Sequence, residues 1–384
     1  MKDYLRGIIY EQINRGLSLK DIVNHPLKYT ELESLADRCS RIIDSNIQYL
    51  RYLQKELEKR DEDDTRDILR SVKGCIREVD LVEYFGISAL YVETDDVGYL
   101  NKLVRKIHKE INLPLIPPSV TCISTKHYSF HAFTNVIFVP VGETRFLLHL
   151  ADVFHEIGHE ILANMENELS LRCVNQKYDL VLRRVTDYYR DFLIRLERET
   201  GPKRTRRIMI QNIHYQWKTY WLKEFFCDLF AIYTLGPAYA WAHLHLTIKK
   251  YENIYEFSPI LPMTHPSDDS RMRLMIIGLE KIGFKAEAKK ILSKWNSMPF
   301  VAENEPVIEY HDAYPIELLD TLAQLLLNGI KESKFVSSKK MIENDSDGIK
   351  KLLNQCWEIF WKNPEEYIEW EAKSVRQLKS NLEK

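Results

Sequence analysis

The chain is predicted to fold as a predominantly α-helical α+β protein, and three observations predict it. Apolar residues recur at helical spacing through most of its 384 residues. Strand-like runs are confined to 120–124 and 135–141, just after a proline group at Pro114, Pro117 and Pro118. No internal repeat or long low-complexity segment interrupts the pattern, which argues against a solenoid or a disordered chain.

The elements divide into three regions. Region 1–115 is helical, with apolar spacing over 4–15, 32–60 and 67–84. The charge run 58–67 reads as a solvated helix end or loop. Segment 18–35 has the length of a helix-turn-helix but poor turn chemistry, so a DNA-binding role is not expected. Region 116–298 opens on the strands. Pro140 cannot donate to a ladder, which predicts an edge strand over 135–141, where an extended peptide could pair. Next, Phe146, Leu150, Val153, Ile157 and Ile161 predict a buried helix, with Thr144 as N-cap just after Gly142. A long helical insertion follows within 165–205, and Lys203 to Arg207 form a basic cluster read as a solvated face. In region 299–384, stretches 316–333 and 348–361 are amphipathic. Asn363 and Pro364 supply the N-cap and first residue of a last helix.

Composition excludes several classes. A net charge of −2 gives no global field for nucleic acid or anionic membranes. The six cysteines show no C-x-x-C spacing, as expected of a reduced protein, and Met1 to Arg6 show no apolar signal region. A cytoplasmic protein is the expectation. The longest apolar stretch, 229–242, is too short to span a bilayer and is broken by Gly236 and Pro237.

The chemistry centres on His155-Glu156-Ile157-Gly158-His159. Positions i and i+4 share a helix face, so both imidazoles can chelate one metal ion, and Glu156 is placed to act as general base. Gly158 costs about 1 kcal/mol inside a helix, which predicts close approach of a neighbouring backbone. A catalytic zinc site needs a third protein ligand. Glu224 and Asp228 again share a helix face, inside the apolar run around Phe225, Phe226, Leu229 and Phe230. A buried carboxylate is costly unless paired or bound to metal. Glu224 as ligand, with Asp228 bonded to a ligand imidazole, satisfies both. Cys227 is an alternative ligand, though a small core residue is the plainer reading. In the segment from Thr264 to Met272, Ser267 is a good N-cap and Asp268 and Asp269 suit a first turn. His265 then lies just outside that helix, as a donor to a developing oxyanion, and Arg271 is available to orient Glu224 or Asp228 or to bind substrate backbone. His127 and His131 flank strand-like residues, and His243 and His245 alternate along a helix. Neither pair is expected to bind metal.

Together these segments resemble the gluzincin metallopeptidases, with His155-Glu156-x-x-His159 followed by Glu224-x-x-x-Asp228. His265-Pro266 with Arg271 is similar to a segment of the membrane-bound prenyl-protein endopeptidases and heat-shock proteases. The stretch from Glu224 to Pro237 resembles the soluble ImmA/IrrE-like peptidases. The resemblance covers roughly residues 125–280. Ser267 stands where the membrane proteases have a second proline, and 64 residues separate His159 from Glu224. The resemblance implies a zincin-like core with a small edge sheet, zinc held by His155, His159 and Glu224, base Glu156, and peptidase activity on a protein or peptide substrate. The expected function is that of a selective endopeptidase, with His265 or a tyrosine of the insertion, Tyr188 or Tyr189, stabilising the oxyanion. A zinc hydrolase of non-peptide amides and a metal-binding pseudoenzyme or sensor are the competing readings. Intact Glu156 argues against the pseudoenzyme.

Overall fold

The computed structural model describes residues 2–60, 65–92, 94–123, 127–198, 204–250, 253–258, 262–298, 301, 305–339 and 348–383. It is predominantly helical with one three-stranded sheet. The chain divides into two compact units. One comprises Met1–Lys106, Leu115–Arg145 and Leu382–Lys384; the other comprises Ile107–Pro114 and Phe146–Asn381.

In the first unit, α1 (Lys2–Val23), α2 (Glu33–Glu58) and α3 (Arg66–Leu81) pack together. Their apolar stripes close over Leu5, Ile9, Ile43, Leu50 and Val72, all excluded from solvent. Between α1 and α2 the chain takes only a loop and a 3-10 turn, not a second short helix. A π turn, Val82–Ile87, follows α3. In α4 (Asp95–Ile111), Asn101 donates to Val120 O (2.7 Å) and accepts from Val120 N (2.9 Å), tying the helix to the sheet. The sheet order is β1 (Ser119–Ile123), β3 (Val136–Pro140), β2 (Ser129–His131), parallel for β1·β3 and antiparallel for β2·β3. The strand carrying Pro140 is therefore central, which corrects the edge expectation. Pro140 is accommodated because it occupies the last pair of the ladder, opposite Ile123. Over Val136 to Phe138 both sides of β3 are already paired, so no peptide can add there.

The second unit begins its helices with α5 (Asp152–Asn164), later than Thr144. Residues 146–151 form successive turns, with His149 N bonded to Phe146 O and Leu150 N to Leu147 O. Leu147, Leu148, Leu150 and Ala151 are buried there, while Phe146 is exposed. The hydroxyl of Thr144 bonds Asp96 instead of capping a helix. Then come α6 (Arg172–Arg198), α7 (Arg204–Gln216), a π turn (Trp217–Trp221), α8 (Leu222–Leu235), α9 (Pro237–Lys250), α10 (Asp268–Lys281), α11 (Lys285–Asn296), α12 (Ile308–Ala313), α13 (Ile316–Glu332), α14 (Ile349–Lys362) and α15 (Pro364–Glu383). At the centre lies α8, buried along nearly its whole length and packed against α5, α10 and α13. It stops at Gly236, whose φ of 91° lies in the left-handed region that glycine tolerates, and Pro237 starts α9. Asn363 Oδ1 accepts from Glu365 N (3.2 Å), the expected cap of α15. Among the described residues, no helix is long and apolar enough to cross a membrane.

Candidate metal centre

Two helices in backbone contact build the site. A Cβ on Gly158 would stand 2.8 Å from Cys227 Cα, so only glycine lets α5 and α8 approach this closely. Helical spacing then turns His155 and His159 of α5 toward Glu224 and Asp228 of α8. His155 Nε2 lies 3.2 Å from Glu224 Oε2, and His159 Nε2 lies 3.5 Å from Glu224 Oε1. The two imidazoles are nearly perpendicular, their centres 5.0 Å apart. His155, Glu156 and Glu224 are buried, Asp228 wholly so, while the His159 side chain is 24% exposed and opens the site on one side. Glu224 Oε2 is shut off from water and has no hydrogen-bond partner, although two imidazoles face its carboxylate. Donor atoms of His155, His159 and Cys227 also lie within 4.8 Å of one another.

Behind the imidazoles is a closed polar network. Arg271 grips Asp228 with both arms, Nε to Oδ2 at 2.8 Å and Nη2 to Oδ1 at 2.6 Å. Tyr239 of α9 donates its hydroxyl proton to Asp228 Oδ1 (2.7 Å) and accepts from Arg271 Nη2 (3.1 Å). Its oxygen is 2.8 Å from His155 Nδ1, and its ring stacks on the imidazole at 18°. Asp228 Oδ1 is 3.1 Å from the same Nδ1.

The charges follow from this geometry. Burial opposes protonation of His155, but Asp228 and Glu224 more than compensate and hold it protonated up to about 10. Burial and the neighbouring His155 charge drive His159 down to about 4, leaving its nitrogen lone pair free at neutral pH. Burial pushes Glu156 up to about 7, with His155 opposing the rise. Burial also disfavours ionised Glu224, yet the two histidines bring it down to about 2. Asp228 is held well below the carboxylate range, Arg271 outweighing burial. Burial and the carboxylates of Glu224, Glu156 and Asp228 push the Cys227 thiol far up.

The loop before α10 brings the last expected residue to the site. His265 Nε2 is 3.7 Å from Glu224 Oε2 with its side chain 64% exposed, and Nδ1 is 2.9 Å from Thr264 Oγ1. Ser267 caps α10, accepting from Ser270 N (3.2 Å). The loop is pinned from α7 and the π turn. Gln216 accepts from Met263 N (2.9 Å), and Trp221 Nε1 donates to Met263 O (3.0 Å). Tyr310 donates to buried Asp269 at 2.6 Å.

All seven expected residues, His155, Glu156, His159, Glu224, Asp228, His265 and Arg271, thus lie in one compact unit and gather about α5 and α8. The tyrosines of the insertion do not join them. Tyr189 is buried, with its hydroxyl donating to Ala313 O (2.9 Å), and Tyr188 packs edge-on against it. His243 bonds Asp268 O (3.0 Å), and His245 packs against Trp357 and Phe360. In the first unit, His131 bonds Thr134. Tyr239, Gln216 and Trp221 are not legible as site residues in the sequence. A polar tip inside an apolar run is their signal, and it is shared with many core residues. No protein-family model, curated protein or solved structure matches this chain.

Proposed function

We propose that this protein is a zinc-dependent peptidase of the gluzincin type, built on a zincin-like core and cleaving peptide bonds in a protein or peptide substrate. One observation carries the reading: the convergence of His155 Nε2, His159 Nε2 and the buried Glu224 carboxylate. Ligand atoms about 2.0–2.2 Å from a common zinc ion at tetrahedral angles lie about 3.3–3.6 Å from one another. One Glu224 oxygen lies 3.2 Å from His155 Nε2 and the other 3.5 Å from His159 Nε2, so the carboxylate approaches each imidazole at about that separation. An oxygen buried without a hydrogen bond is expensive, and a metal relieves that cost. Glu224 fits the third position better than Cys227, whose sulfur packs 3.0 Å from the point a Gly158 Cβ would occupy, in the seam between α5 and α8.

His155, His159 and Glu224 would hold the zinc, which when bound supplies Lewis acidity to polarise a carbonyl and to lower the pKa of water to about 7. Glu156 removes the proton of the attacking water and delivers it to the departing amine, a role suited to a carboxylate poised at about 7. His265, exposed and steadied by Thr264, donates toward the developing oxyanion. Arg271 acts through Asp228 rather than on substrate, since its guanidinium is buried and doubly bonded there.

Elemental analysis with protease assays tests this. Purified protein should carry about one zinc per chain, lost in His155→Ala and His159→Ala. Glu156→Gln should retain zinc while casein hydrolysis falls by roughly 10²–10⁴. Zinc-free protein after growth in zinc, or zinc-loaded protein that hydrolyses small amides but neither casein nor peptides, would falsify the peptidase reading.

A further inference from the structure

The hydroxyl of Tyr239 occupies an unusual position for a core tyrosine. It sits among three largely buried polar groups, each of which needs a partner. Asp228 is fully buried, Tyr239 is 2% exposed, and the side chains of His155 and Arg271 are 9% and 11% exposed. The chemistry of the groups fixes the direction of each hydrogen bond. Arg271 can only donate, and it donates to both Asp228 oxygens and to the phenol oxygen. Asp228, gripped through both oxygens by Arg271, can only accept, so the phenol proton points to Asp228 Oδ1. The phenol oxygen therefore faces His155 with a lone pair, and the bond of 2.8 Å between them requires the proton to sit on His155 Nδ1. With the proton on Nδ1, metal binding leaves the lone pair on Nε2, the nitrogen that faces Glu224 at 3.2 Å. The Asp228 carboxylate itself is the more distant neighbour of Nδ1, at 3.1 Å.

We infer that Tyr239 is a positioning residue of the metal centre: its phenol oxygen, oriented by Asp228 and Arg271, fixes the tautomer and ring angle of His155 so that Nε2 is presented to the metal. This inference rests on the zinc reading above and extends it. The expected order of control runs from Arg271 to Asp228 to Tyr239 to His155. Asp228 influences the ligand largely through the tyrosine rather than by direct contact alone. The two rings are nearly parallel, at 18° with centres 5.8 Å apart, and the hydroxyl bridges them. Replacement by phenylalanine keeps the ring and removes the hydrogen bond, which makes Tyr239→Phe the informative change.

Zinc affinity and the cobalt-substituted protein provide the test. In Tyr239→Phe, the dissociation constant for zinc should rise by roughly 10–100-fold, as for other partners of metal-bound imidazoles, while saturating zinc still gives one ion per chain. In cobalt-loaded wild-type protein, the paramagnetically shifted Nδ1–H resonance of His155 should exchange slowly with water and show Overhauser contacts to the Tyr239 ring. In the variant it should move or exchange faster, with the His159 signal little changed. A variant with wild-type zinc affinity and an unmoved resonance overturns the inference and leaves the zinc site standing. Wild-type protein that takes up neither zinc nor cobalt overturns both. Should Tyr239→Phe fail to fold, the wild-type resonance decides alone: fast exchange, or no contact with the Tyr239 ring, overturns the assignment.

Discussion

His155 carries a proton that the proposed zinc ion would have to displace. Without metal, its Nε2 faces Glu224 and its Nδ1 faces Tyr239 and Asp228, and the neighbouring carboxylates keep it charged up to about 10. His159, driven down to about 4, has no such proton to lose. Zinc binding at pH 8 should therefore release at least one proton per ion, because a ligand imidazole must be neutral at its donor nitrogen and a zinc-bound water with a pKa of about 7 adds its own. Calorimetric titrations in two buffers of different ionisation enthalpy would measure it, and release near zero would count against His155 as a ligand. The two acids on α8 should also part company. Glu224→Ala removes the proposed third ligand and should abolish tight zinc binding in a chain that still folds. Asp228→Ala leaves Arg271 as an uncompensated buried charge, so its main effect should be a stability loss of roughly 3–5 kcal/mol. Urea unfolding beside zinc titration separates the two outcomes, and a reversed pattern would exchange their roles.

Between elements, the deciding contact is the seam of α5 and α8. Alanine is the better helix former by about 1 kcal/mol, so Gly158→Ala would stabilise an isolated helix. Here its Cβ would meet the Cα of Cys227 at 2.8 Å, and backbone cannot rotate away as a side chain can. The helices would have to separate, at a cost of about 1–3 kcal/mol, and the histidines on α5 would draw back from Glu224 on α8. Reduced zinc affinity together with a lower unfolding midpoint is the expected signature; unchanged values for both would show the seam to be more compliant than its spacing implies. This seam is legible in the sequence because glycine weakens a helix and is kept inside one where a neighbouring backbone needs the room. Glu224 and Asp228 are legible as acids in an apolar run. Tyr239 is not: it lies eleven residues past Asp228, beyond a helix break, and returns to the site only because Gly236 turns the chain into α9. The central place of β3 is hidden as well. Pro140 argues for an edge unless it falls on the last rung, and which rung it occupies is a property of the partner strands. Periodicity likewise places a helix over Phe146 to Ala151, where the chain takes successive turns instead.

At the scale of the whole chain, the site is held by its protein surroundings before any metal arrives. Phe154, Ile157 and Ile161 bury the inner face of α5, α8 lies almost wholly inside its unit, and Arg271, Asp228 and Tyr239 bond one another without help from an ion. Small domains that depend on zinc to fold lack such a core and unfold on chelation. Here chelation should leave the far-ultraviolet circular dichroism unchanged at 25 °C. Loss of a ligand present at about 100 times its dissociation constant removes about 2.7 kcal/mol, which for a unit of this size is roughly 5–10 °C in melting temperature. The zinc-free form should also have a distinctive pH dependence. Glu156 is raised to about 7 from 4.5, so its contribution is complete below 4.5 and disappears as pH rises through 7. His155 is raised to about 10 from 6.5, so its contribution is complete below 6.5 and disappears as pH rises toward 10. Between about pH 4.5 and 6.5 the lowered His159 and His243, both near 4 instead of 6.5, gain stability as pH rises and offset the Glu156 decline, so the metal-free protein should lose stability mainly from about pH 6.5 to pH 10, through His155. Zinc-loaded protein should escape most of that decline, because an ion bound at His155 Nε2, as proposed, would already have displaced the proton. Melting curves of both forms across this range would test the claim, and parallel pH profiles with and without zinc would mean that the ion binds somewhere other than His155.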